Sequence, residues 1–140
     1  MGYAFIVTRN LDLAKSKFIP LINDPKYGND SRYYFGYISY KQEDYEVAEK
    51  ILEEIADDEA YKSEVTYYLL DISFKAGRFE KSIDVGLKLL NNSKPKEVSE
   101  ISKIIGESYF NLEKYEEAIA YLRVYLSLIH ISEPTRLGMI

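Results

Sequence analysis

A small residue recurs at a nearly fixed interval along this chain: Ala14, Ala48, Ser82 and Ala118, at steps of 34, 34 and 36. Three residues before each stands a large apolar side chain: Leu11, Tyr45, Phe79 and Tyr115. Twelve before each stands Gly2, Gly36, Leu70 or Gly106. A period of this length restricts the fold to stacked supersecondary units, since one unit cannot bury its apolar face alone and its neighbour must cover it. Arg32 to Leu52 is the clearest unit and reads as two short helices joined by a tight turn. Phe35, Gly36 and Tyr40 fall on the first helix, and Tyr45, Ala48 and Leu52 on the second. A glycine in mid-helix costs about 1 kcal/mol against alanine. It is tolerated where another helix packs close against the backbone. The small residue of the second helix serves the same approach, and the large one plugs the gap between the pair.

Composition narrows the alternatives. With 140 residues the chain can bury a core of its own. Gly and Pro together number 11, too few for a many-turned β-sandwich. A net charge of −5 argues against a nucleic-acid backbone as partner. There is no cysteine, which removes disulfides and thiolate chemistry and leaves the compartment open. No apolar run reaches the roughly 18 residues of a membrane helix, so direct membrane insertion is not expected.

The units resemble the tetratricopeptide repeat, a helix–turn–helix of 34 residues. The second unit carries the resemblance best, through Phe35-Gly36, Tyr40, Tyr45, Ala48 and Leu52, and the fourth through Ile105-Gly106, Tyr109, Tyr115, Ala118 and Leu122. The third departs, with Leu70 at the glycine and Gly86 where a large residue is usual. It keeps Gly77 in the turn, Phe79 and Ser82. The family's tryptophan is replaced throughout, by Arg32, Thr66 and Ser102. The resemblance covers about residues 2 to 126. It implies an all-α fold of antiparallel helix pairs stacked as a right-handed α-solenoid. The units divide as a truncated first repeat at 1–28, full repeats at 29–62, 63–98 and 99–128, and a tail at 129–140. Helix pairs are expected at 2–8 with 11–22, 30–42 with 45–57, 62–76 with 79–92, and 98–111 with 114–128. Asp24-Pro25, Gly28-Asn29-Asp30 and Asn91 to Pro95 read as loops. Ser31 or Asp30 would cap the third helix, with Ser99 near the start of the seventh. Pro20 would end or bend the second helix.

Both ends read as cut. Gly2 aligns with Gly36, so the leading six residues of the first unit are missing, and Met1 reads as an internal methionine or the edge of a fragment. No basic n-region follows Met1, but that carries no weight at a cut end, and cytoplasm and bacterial periplasm or envelope both stay open. At the other end, Leu126 to Arg136, LSLIHISEPTR, resembles the translation of a transposase adapter used in DNA sequencing libraries. His130, the single histidine, lies inside that segment and is set aside as a metal or catalytic candidate.

Chemistry-bearing patterns are few. Glu53-Glu54, Asp57-Asp58-Glu59 and Glu116-Glu117 fall on outward faces and loops, where a solvated surface explains them. No phosphate loop, nucleophile elbow or His/Cys cluster is present, so neither an enzyme nor a cofactor is expected. Tyr45, Phe79, Tyr109 and Tyr115 sit at positions expected in the core. A second aromatic set follows from the resemblance, whose leading helices line a concave surface. There it places Tyr3, Tyr33, Tyr37, Tyr40, Tyr67, Phe74 and Phe110, interleaved with Lys41, Asp71, Lys75, Lys103, Glu107 and Asn111. Aromatic rings with polar tips are common anchors for a peptide or partner helix; the other reading is that they pack between neighbouring helices. Relatives that clamp a C-terminal carboxylate use Lys, Asn and Arg in this groove. Here Tyr33, Tyr37, Tyr67 and Asp71 stand at such places, and Asp30, Glu64 and Glu100 line the mouth, which disfavours that role. The expected function is a non-enzymatic protein-binding scaffold of bacterial type. The alternative is a regulatory or spacer segment of a larger multidomain enzyme or signalling protein.

Overall fold

A computed structural model describes residues 2–91 and 93–132, and the side chains of 10–91, 93–94 and 97–129. The described residues form α1 (Gly2–Phe18), a 3-10 turn (Ile19–Leu21), α2 (Gly28–Lys41), α3 (Tyr45–Glu53), α4 (Lys62–Lys75), α5 (Phe79–Leu90), α6 (Pro95–Asn111) and α7 (Tyr115–Ser132), with no strand among them.

Three connections are the same turn, repeated in phase. Glu43, Gly77 and Glu113 take positive φ values of 62°, 78° and 63°. Each ends its helix in a Schellman arrangement. The next amide reaches back to the carbonyl five residues earlier: Asp44 N–H to Ser39 O, Arg78 N–H to Ser73 O and Lys114 N–H to Tyr109 O, all at 2.9 Å. The same three residues then open the second helix, their carbonyls accepting from Ala48, Ser82 and Ala118 at 3.0 Å. An aromatic pair spans every turn: Tyr40 with Tyr45 at 6.0 Å, Phe74 with Phe79 at 5.7 Å and Phe110 with Tyr115 at 5.5 Å between centroids.

Residues 1–72 form one compact unit and residues 73–140 a second. In the first, Ala48, Leu52 and Ile55 of α3 and the turn after it bury against Val65 and Ile72 of α4, with Tyr33, Tyr40, Tyr45, Tyr61 and Tyr68 packed around them. Gly36 lies directly under Leu52: a Cβ there would be 2.6 Å from Leu52 Cδ2. In the second unit, Ile101, Ile104 and Ile105 of α6 are buried with Ala118 of α7. Gly106 repeats the close approach, 2.8 Å from Leu122 Cδ2 by the same construction. Leu70, at the glycine's repeat position, is fully buried, and so is Gly86 at the position of Leu52 and Leu122.

Several expectations are corrected. The first unit is not a helix pair: α1 runs unbroken through Arg9, the counterpart of Glu43, Gly77 and Glu113. The left-handed backbone of such a turn costs roughly 1–2 kcal/mol in a non-glycine residue. Accordingly Ala14 is half-buried, whereas Ala48, Ser82 and Ala118 are buried. Pro20 does stop the helix, in the 3-10 turn. Ser31 and Asp30 do not cap α2, which already starts at Gly28. Ser31 is buried inside it, and Asp24 instead receives the amides of Lys26 and Tyr27 at 2.8 and 2.9 Å. Ser99 lies within α6, which opens at Pro95 with the Glu97 carboxylate on the Lys94 amide. Helix α3 stops at Glu53, not 57. Tyr115 is 52% exposed, not core. Tyr45, its counterpart in the first unit, packs against the buried cluster that Val65 and Ile72 of α4 complete, and no described helix follows α7. The tail beyond Ser132, with Pro134, lies outside the described residues.

Candidate functional site

Helix α2 places Tyr33, Tyr37 and Tyr40 four and three residues apart, which sets them on one stripe. Tyr61, just before α4, and Tyr68 within it lie two turns apart and face that stripe. Tyr33 stacks on Tyr61 at 4.4 Å and on Tyr37 at 6.4 Å. Tyr68 meets Tyr37 at 5.7 Å and Tyr40 at 4.9 Å, with Tyr67 edge-on to it at 6.1 Å. The result is a continuous tyrosine face across α2 and α4.

Its hydroxyls are largely spoken for. Tyr40 donates to Asp71 and Tyr61 donates to Asp30, so two of the ring-to-carboxylate contacts tie α4 and the loop before it to α2. Burial, then the bond to Asp71, pushes the Tyr40 hydroxyl far above its ordinary value. Burial also raises Tyr68, whose hydrogen bond to Tyr33 adds to the effect, and it raises Tyr33. For Tyr61 the bond to Asp30 is the leading cause, and its pKa rises to about 12. Glu64 is exposed, and its charge acts on both Tyr33 and Tyr68. Lys41, exposed in the last turn of α2, lays its Nζ 5.5 Å over the Tyr37 ring.

Of the expected groove residues, the first unit therefore brings Tyr33, Tyr37, Tyr40 and Asp71 into direct contact, with Tyr67 and Lys41 at the edges. Within the second unit, Phe74 is half-buried on Phe79, and Lys75 is exposed at the end of α4. Lys103, Glu107, Phe110 and Asn111 share α6. There Lys103 Nζ lies 5.5 Å over Tyr125, Asn111 Nδ2 donates to the Glu107 carbonyl at 2.7 Å, and Phe110 is 57% exposed. Sequence reasoning missed Tyr61 and Tyr68. Their spacing of seven, two helical turns, was the available signal.

An open hollow of about 470 Å³ lies at the start of α2, between Ile22 and Arg32 and beside Asp58. Its polar groups pair among themselves: Asn29 with Asp58 at 2.9 Å, and Arg32 with Glu54 at 3.0 Å and Asn29 at 3.1 Å. It is a loop junction with its hydrogen bonds already made. Among the described residues no cluster of His, Cys, Asp or Glu could hold a metal, and no helix is long and apolar enough to cross a membrane.

No protein-family model and no curated protein matches the chain. Solved structures do. "MamA MSR-1 C2" superposes with a TM-score of 0.76 at 21% identity, covering 94% of this chain and 74% of that one. "MamA AMB-1 P212121" superposes at 0.75 with 20% identity, covering 92% and 69%. At this identity the likeness speaks to fold. With the in-phase turns it makes the chain an all-α solenoid of the tetratricopeptide type.

Proposed function

We propose that the chain is a non-enzymatic scaffold that binds a protein segment, an extended peptide or a partner helix, on the aromatic faces of its helical repeats. The observation that supports this most is the tyrosine face of α2 and α4. It presents half-buried rings edged by the exposed Lys41 and Glu64. Tyrosine offers apolar area and a polar tip at low conformational cost, the combination common in binding anchors. Phe110, with Lys103, Glu107 and Asn111, forms the corresponding surface of α6 in the second unit, and Phe74 and Lys75 end α4. The test is selection of random peptides on the parent chain, followed by binding to Tyr37→Ala/Tyr67→Ala. Selected peptides should lose affinity for the double variant while its far-UV circular dichroism stays that of the parent. Peptides that bind both equally would move the site elsewhere.

The rival reading is a regulatory or spacer segment whose repeats serve internal packing. The Tyr40–Asp71 and Tyr61–Asp30 bonds favour it, because they consume groups a ligand would use. Failure to select any peptide would favour this rival.

The repeat boundaries at 29–62, 63–98 and 99–128 are part of the same proposal, as is the appended origin of residues 126–136. Leu126, 62% exposed on α7, supports that origin, while Leu128 and Ile129 of the same segment are half-buried. Removing Ser132 to Ile140 should leave the melting temperature nearly unchanged.

A further inference from the structure

The charge of this chain is unevenly placed. Residues 1–72 carry 14 Asp and Glu against 8 Lys and Arg, whereas residues 73–140 carry 9 against 10. The whole net negative charge therefore belongs to the unit that holds the tyrosine face. Asp30 and Asp71 accept hydroxyls from that face. Glu64 stands at its edge, exposed, with no cation among the described residues paired to it. One ring already carries a cation: Lys41 Nζ sits 5.5 Å over Tyr37.

On these grounds we propose that the α2–α4 face takes a basic protein segment, one of whose Lys or Arg cations takes the place of Lys41 on the ring of Tyr37, with Glu64 as counter-ion. The proposal rests on the scaffold reading above and names the chemistry of its partner. Three physical arguments select a basic occupant. An acidic segment would meet Asp30, Glu64 and Asp71 with like charge. A neutral apolar segment would desolvate Glu64 without pairing it, which is costly. A guanidinium or ammonium would satisfy Glu64 and gain the attraction of the ring faces, as Lys41 already does within the chain. Lys41 is then an internal occupant of one ring, and an incoming cation competes with it.

The experiment uses the full chain and three labelled peptides of one length, read by fluorescence anisotropy at low and high sodium chloride. One bears arginines spaced through alanine, the second bears citrullines at the same positions, and the third glutamates. The arginine peptide should bind. The citrulline peptide should bind about tenfold more weakly, the scale of one desolvated cation–π contact, and the glutamate peptide more weakly still. High salt should weaken the arginine complex. Tyr37→Ala and Glu64→Gln should each weaken it several-fold. Lys41→Ala should strengthen it. Asp57→Asn, in the exposed turn after α3, should leave it unchanged. Equal affinity for the arginine and citrulline peptides, still sensitive to Tyr37→Ala, would overturn the basic partner while leaving the scaffold standing. Weakening by Asp57→Asn equal to that by Glu64→Gln, with Tyr37→Ala silent, would reduce the binding to diffuse attraction and overturn the site. Binding of none of the three would overturn the basic-partner proposal.

Discussion

Gly36→Ala adds a methyl group where the structure leaves no room. The new Cβ would lie 2.6 Å from Leu52 Cδ2 and 2.7 Å from Leu52 Cγ, far inside the roughly 3.5–4.0 Å of a good carbon contact. Leu52 is fully buried, so it has no solvent to swing into. Two effects then oppose each other. Alanine in place of a mid-helix glycine gains about 1 kcal/mol. Overpacking a filled core costs about 1–3 kcal/mol. The net change in the parent is a loss of about 0–2 kcal/mol. In a Leu52→Ala background, itself weaker by about 2–5 kcal/mol, the obstruction is gone and only the helical gain remains. There Gly36→Ala should stabilise by about 1 kcal/mol. The sign reversal is the diagnostic, since residues in contact couple while distant ones add. Urea unfolding followed by circular dichroism on the four proteins measures it. If Gly36→Ala stabilised the parent as much as it stabilised Leu52→Ala, the close approach of α2 and α3 would be refuted.

Three other expectations use the same unfolding measurement. Glu43→Gly and Glu113→Gly should each stabilise by about 0.5–1 kcal/mol, because glycine relieves the positive φ but adds freedom to the unfolded chain; Gly77→Ala should cost about 1–2 kcal/mol. The hydroxyls of Ser39 and Ser73 are buried with no hydrogen-bond partner among the described residues, so Ser39→Ala and Ser73→Ala should be neutral to stabilising by about 1 kcal/mol. Tyr61 has its pKa raised from 10.0 to about 12 in the fold. Its contribution is therefore complete below pH 10 and lost as pH climbs toward 12; Tyr61→Phe should flatten that decline, and an unchanged slope would discount the bond to Asp30.

The period of 34 made the helix pairs readable, because Ala48, Ser82 and Ala118 mark the places where two backbones approach. The turn itself was less readable. Two of its three left-handed positions are glutamates, residues that carry no signal for that conformation, and only Gly77 announces it. The unbroken α1 was hidden for the related reason that Arg9 is no worse a turn residue than Glu43. Whether it bends depends on what its neighbours can bury, which local pattern does not encode. The tyrosine face was half visible. The repeat resemblance placed Tyr33, Tyr37, Tyr40 and Asp71 on one surface, but Tyr61 and Tyr68 lie about thirty residues from the rings they meet, and nothing local pairs a hydroxyl with a carboxylate at that range. Tyr115 shows the converse limit: its repeat position promises burial, and the promise holds only where another helix follows.

The repeated turn also bears on how fast such a chain can fold. The backbone bond that closes it and the aromatic pair that spans it both join residues five positions apart. Chain closure over so few residues takes on the order of 10–100 ns, and helical proteins dominated by local contacts fold in microseconds to milliseconds. Each hairpin thus contains its own nucleus, and three are present. A destabilising change at Glu43 should slow the hairpin of α2 and α3 while leaving the nucleus at Glu113 intact, so refolding can start from the other end. Refolding rates of Glu43→Pro and Glu113→Pro, singly and together, would reveal that redundancy as a double variant far slower than either single one.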